Sequence, residues 1–201
     1  MMRCLLLLLA LASPALAQSP ADGLRIELAG DTPLTRRGRE QLRHILATYD
    51  LSPWTFTRRI RIESYAVPHS HPVLTLNTRY LEDDFAQTAT FLHEQMHWLL
   101  VQRESSTDSA MADVRRLYPD VPASPPQGAH DEESTYLHLL VCTLELDAVR
   151  AVFGDTVARR ILGGWHHYTW VYQEVLERPE PLRAILRARG LELPSAAPRS
   201  P

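Results

Sequence analysis

The sequence predicts an α+β fold: a small β-sheet in the N-terminal part, followed by a helical C-terminal part. Two observations lead there. Stretches of strict apolar/polar alternation all fall before Thr78, and from Asp83 onward the apolar residues recur at helical spacing. A third, the length of 201 residues, fits one domain with a sizeable core.

The first element belongs to export rather than to the fold. Met1 to Arg3 is a short basic start, Leu5 to Ala12 is an unbroken apolar run, and Ala15-Leu16-Ala17 is a small-x-small cleavage site. Residues 1–17 therefore read as a cleavable signal peptide, with an apolar run too short to span a membrane. The domain is expected over 18–193, and a disordered Pro-, Ala- and Ser-rich tail over 194–201. A periplasmic or secreted location follows. Cys4 precedes the apolar run, whereas a lipid-anchoring Cys would follow it, so a lipoprotein is not indicated.

Loss of the signal leaves Cys142 as the one thiol, which excludes an internal disulfide framework. The chain carries 21 basic residues, all Arg, against 24 acidic ones. That near-neutral balance argues against nucleic acid as a partner. No second apolar run approaches membrane-spanning length, so no stable membrane insertion is expected.

Within the domain, Leu24 to Leu28 alternates as a strand, and Thr35 to Tyr49 carries Leu42, Ile45 and Leu46 at helical spacing until Leu51-Ser52-Pro53 ends it. Ile60 to Tyr65 and Val73 to Asn77 supply two more strands. Helices are expected over Asp83 to Arg103, Ser109 to Leu117, Asp131 to Phe153, roughly Asp155 to Glu177, and Pro181 to Arg189. Pro119 to Gly128, with four prolines, reads as a loop.

The stretch that carries chemistry is Phe91-Leu92-His93-Glu94-Gln95-Met96-His97-Trp98, which contains H-E-x-x-H. Two His four residues apart on a helix project from one face and can grip one zinc ion, and the Glu beside the first can act on a metal-bound water. In a chain with nine His among 201 residues, a chance match is expected only about 3 times in 100. At about 100° per residue, Ala89, Met96, His97 and Leu100 fall near His93, so the pair sits mid-stripe on an apolar face. Phe91 and Trp98 make the opposite face apolar as well, and the helix is expected to be central.

A catalytic zinc wants a third protein ligand and an open position. In the helix from Asp131, Glu133 lies mid-stripe with Leu137, Leu140, Leu144, Ala148 and Ala151. A carboxylate there is costly unless neutralised, and zinc would neutralise it. Glu133 is thus the expected third ligand. Glu132, about 100° off, is the alternative, and a later helix start lets His130 compete. His138 points about 140° away, on the side of Glu145, and reads as a partly exposed polar residue.

His93-Glu94-x-x-His97 followed by Glu133 resembles the zincin metallopeptidases, and within them the gluzincins, whose third ligand is a Glu on a later helix. The resemblance covers roughly residues 83–150 and implies zinc, a Glu-assisted water nucleophile and hydrolysis of a peptide or protein substrate. The family often has an Asp or a small residue four positions after that Glu, where an Asp can orient a zinc-bound His. Leu137 stands there, so the resemblance leaves that acceptor unassigned. The family also lays substrate along an edge strand, for which Val73 to Asn77 is the candidate.

Oxyanion stabilisation in such enzymes often uses Tyr or His. Tyr168, in the aromatic stretch Trp165 to Tyr172, is the candidate, with packing into the core as the alternative. His69-Ser70-His71, between Pro68 and Pro72, reads as a solvated loop, and Cys142 as a small packed side chain. The reading is an exported zinc metallopeptidase with His93, His97 and Glu133 as ligands and Glu94 as general base. Its rivals are a zinc-binding, non-catalytic exported domain and a metal-free helical interaction module.

Overall fold

Alternating apolar residues become three strands, β1 (Arg25–Leu28), β2 (Arg59–Ile62) and β3 (Leu74–Leu76), in a computed structural model that describes residues 23–194. The signal peptide expected over 1–17 and the tail expected beyond Pro194 lie outside the described residues. The strands pair in parallel in the order β1-β2-β3, with Ile60 facing Ile26 on one side and Leu74 on the other. Parallel pairing needs a crossover, which α1 (Pro33–Thr48) provides between β1 and β2. Thr32 and Thr35 cap α1 reciprocally, and Pro33 sits in its first turn, where a missing N–H costs nothing.

Ile60, Ile62, Leu74 and Leu76 are fully buried between the helices and the sheet. β3 lies at the end of the sheet, yet its outer edge is not open. The Thr75 N–H donates to the His69 carbonyl at 2.8 Å, and the His69 N–H donates to the Thr75 carbonyl at 3.1 Å. The expected docking edge, Val73 to Asn77, is therefore already paired at its centre with the chain's own preceding segment.

Six further helices follow: α2 (Asp84–Gln102), α3 (Glu104–Leu117), α4 (Glu132–Phe153), α5 (Asp155–Leu162), α6 (Thr169–Glu177) and α7 (Pro179–Ala188). The single helix expected over Asp155 to Glu177 is two, because Gly163 and Gly164 end α5 and the chain turns before α6. α2 is central, as its two apolar faces require, and packs on β3, α1, α3, α4 and α5. α4 is wrapped more completely still, by α2, α3, α5, α6 and α7. Among the described residues no helix is long and apolar enough to cross a membrane.

The rotation of α2 about its axis is fixed by Gln95, which is fully buried. Its Oε1 accepts from the Phe56 and Thr57 N–H groups at 2.7 and 2.8 Å, and its Nε2 donates to the Thr57 carbonyl at 3.0 Å. The residue between Glu94 and Met96 thus ties the motif helix to the segment leading into β2. Replacing it by Leu keeps the volume and leaves these groups without partners. Gln95→Leu is expected to destabilise the fold by about 1–3 kcal/mol, read as a lower midpoint in urea unfolding.

Candidate metal centre

Each half of the site starts from a helix cap. Asp83 accepts from the Ala86 N–H at 3.0 Å and starts α2, which then presents His93 and His97 one turn apart with ring centres 5.2 Å apart. Asp131 accepts from the Ser134 N–H at 2.6 Å and starts α4. The preceding loop is held by Thr135, whose hydroxyl donates to the Pro122 carbonyl and accepts from the Ala129 N–H, both at 2.8 Å. Gly128 is required in that loop, because a Cβ there would lie 2.0 Å from the Pro122 carbonyl oxygen.

The third group that meets the His pair is His138. Its ring centre lies 5.6 Å from that of His93 and 5.1 Å from that of His97, and one nitrogen from each of the three rings lies within 4.8 Å of the others. Hydrogen bonds fix two of the tautomers. The His138 Nδ1–H donates to the Ser134 carbonyl at 2.6 Å, and the His93 Nδ1–H donates to Glu145 Oε2 at 2.9 Å. His138 therefore keeps its Nε2 lone pair free for a cation, and His93 turns its Nε2 toward the same place, where it can ligate once its second proton has left.

Glu133, the expected third ligand, is not brought to this cluster. Its side chain is 67 % exposed and pairs with Arg115. The stripe it belongs to is buried at Leu140, Leu144 and Ala148, but α4 emerges from the core in its first turn, where Glu132 and Glu133 both face solvent. His130 is also exposed and pairs with Asp131 at 3.1 Å. Periodicity puts Glu133 in a buried stripe, but α4 has no single buried face: around its middle the whole circumference is covered. The face that matters carries His138, Cys142 and Glu145, at positions i, i+4 and i+7 in the mostly apolar middle of the helix. That polar row is the signal by which sequence could have found it.

Glu145 is 1 % exposed, and the Tyr172 hydroxyl donates to its Oε2 at 2.8 Å. Cys142 is buried beside the same groups, so its sulfur, His93 and Glu145 form a second cluster of possible donors. Because the His93–Glu145 contact is already a good hydrogen bond, Glu145 is read as the acceptor that orients His93. The acceptor absent at Leu137 is thus supplied farther along α4.

The electrostatics divide the imidazoles. Burial alone would lower the His93 pKa, but the Glu145 charge and hydrogen bonds with Cys142 and Glu145 together outweigh burial and hold it well above the ordinary value. Burial, with repulsion from His93, holds His97 well below the ordinary value and takes His138 down to about 3. His97 and His138 are therefore neutral at pH 7, as ligands must be. Glu94 is 6 % exposed, and burial, aided by Glu145 and opposed by His93 and His69, raises its pKa to about 7.

This is a zincin-type metal-binding arrangement. Comparison of the chain with protein-family models, curated proteins and solved structures gave no match, so this assignment rests on the residues and their geometry.

Tyr168, the expected oxyanion donor, is at the site: its ring centre lies 4.1 Å from that of His138 and 6.2 Å from that of His93. It adopts φ 51° and ψ 36°, a left-handed conformation unusual for a non-Gly residue, immediately before α6. Burial raises its pKa, so its hydroxyl is protonated and able to donate at neutral pH. The His69-Ser70-His71 loop is also nearer than expected. Trp98 Nε1–H donates to the Ser70 carbonyl at 2.9 Å, and His71 stacks on Trp98 at 4.2 Å, while His69 acts electrostatically on Glu94. All of the nine His except His44 belong to this one electrostatic neighbourhood.

The geometry separates the two candidate third ligands cleanly. His138→Ala is expected to lower the affinity for divalent cation by at least about 100-fold, while Glu133→Ala keeps one bound ion per chain. Elemental analysis after dialysis against metal buffers reads both.

Proposed function

We propose that the protein is an exported zinc-dependent metallopeptidase, with His93, His97 and His138 as metal ligands, Glu94 as general base and Tyr168 as oxyanion donor. The observation that carries this reading is the convergence of three imidazoles, two of them neutral and two with Nδ1 already bonded, beside a buried carboxylate of raised pKa. Three His with a fourth position left for water suit catalytic zinc. Export is supported by the signal-like sequence of residues 1–17.

Zinc held there would supply a Lewis acid for a peptide carbonyl and acidify a neighbouring water. Glu94 takes the proton from the attacking water and delivers it to the leaving amine, a double role that suits a group whose pKa lies near neutrality. Tyr168, held over His138, donates its hydroxyl proton in a hydrogen bond to the developing oxyanion. A purely structural ion site would have no use for a nearly buried carboxylate at Glu94, which favours turnover over a non-catalytic role. An extended peptide approaching β3 would meet the His69 segment, which is already paired with Thr75 at that edge.

Glu94→Gln is expected to keep stoichiometric zinc and lose at least about 10²–10⁴-fold in kcat in a broad peptide-cleavage screen. Equal cleavage by this variant would remove Glu94 from the mechanism. The base must be ionised, so wild-type kcat/KM should fall as pH drops through the Glu94 pKa. A nearby cation lowers that pKa, so the acid limb should lie between the ordinary 4.5 and about 7. Tyr168→Phe should lower kcat more than it raises KM, because its hydrogen bond forms in the transition state.

A further inference from the structure

Glu145 and Tyr172 lie behind the ligand set and touch no substrate, yet both are nearly inaccessible, at 1 % and 3 % exposure. One carboxylate oxygen, Oε2, accepts two hydrogen bonds, from His93 Nδ1–H at 2.9 Å and from the Tyr172 hydroxyl at 2.8 Å. These join three helices: His93 is on α2, Glu145 on α4 and Tyr172 on α6. Tyr172 lies on the buried side of α6, the side packed on α4. One turn earlier, at the start of the same helix, stands Tyr168, with its ring against His138.

A buried carboxylate with a single donor is poorly compensated and would swing toward another partner or lose its fixed orientation. Either change frees the His93 ring to rotate or to exchange its tautomer. The Tyr172 hydroxyl supplies the second donor. We infer that Tyr172 is a positioning residue of the metal site: its hydroxyl fixes the Glu145 carboxylate that orients His93, and the same bond sets α6, and with it Tyr168, against the ligands. The inference rests on the reading of His93, His97 and His138 as the ligand set. It couples ion affinity to the placement of the oxyanion donor through one hydrogen-bonded chain.

The test is zinc affinity by chelator competition for wild type, Tyr172→Phe, Glu145→Gln, the double variant and Cys142→Ala. Tyr172→Phe and Glu145→Gln should each weaken zinc about 10- to 100-fold. The double variant should be no weaker than Glu145→Gln alone, because both act through one chain. Cys142→Ala should bind as wild type does. Thermal melting of the metal-free variants must stay cooperative for these affinities to count. Ring-nitrogen chemical shifts of zinc-loaded wild type give a check that needs no variant: His93 should show a protonated Nδ1 and a metal-bound Nε2.

Wild-type zinc affinity in Tyr172→Phe, or fully additive losses in the double variant, would overturn the positioning role alone. A metal-bound Nδ1, or loss of zinc in Cys142→Ala, would overturn it in favour of ligation through Cys142 and Glu145. Wild type that takes up no zinc would sink the ligand set itself, and the inference with it.

Discussion

Where α2 meets α4, two largely apolar helices bury a row of ionisable groups against each other, and much of the molecule is arranged to make that tolerable. An isolated charge at the position of Glu145 would cost several kcal/mol. Two donors on its Oε2 offset that cost. The rest of the scaffold ensures that the polar row of α4 faces the His pair of α2 and not an apolar wall. Gln95 sets the rotation of one helix, and Asp131, Thr135 and Gly128 set the start of the other.

The same arrangement explains the uneven behaviour of the imidazoles. A single buried carboxylate can hold one of them protonated, and it holds His93. That positive charge then helps to keep His97 and His138 neutral. In the metal-free protein the cluster already stores one positive charge at the place where a divalent cation would sit. A cation entering must displace that proton, so ion capture and proton release are linked in the same three rings.

Much of the fold and half of the site were legible in the sequence. Alternation marked the three strands, and the two apolar faces of α2 marked it as central, because both signals depend on local periodicity alone. His93, Glu94 and His97 were legible for the same reason: one helical turn brings them together whatever surrounds it. The third group was not, since choosing between Glu133 and His138 requires knowing which helix covers which face of α4. Periodicity makes a mid-stripe residue buried, but Glu133 lies in a turn that has already left the core. Chemistry singles out Tyr168 in the sequence, and the structure places its ring beside that of His138. The break between α5 and α6, which lets Tyr168 turn back toward His138, escapes periodicity because apolar and aromatic residues continue on both sides of Gly163-Gly164.

The bridge between His69 and Thr75 has a consequence beyond the site. An uncovered final strand offers a row of free N–H and C=O groups to any unfolded or partly folded neighbour, the usual start of edge-to-edge aggregation. Here the N–H and C=O of Thr75, the central residue of β3, are already spent within the chain. At the β3 edge, the place for a fourth strand from another molecule is taken at its centre by the chain itself. The same segment carries His69, whose charge acts on Glu94, so protection of this edge and the electrostatics of the site come from the same few residues.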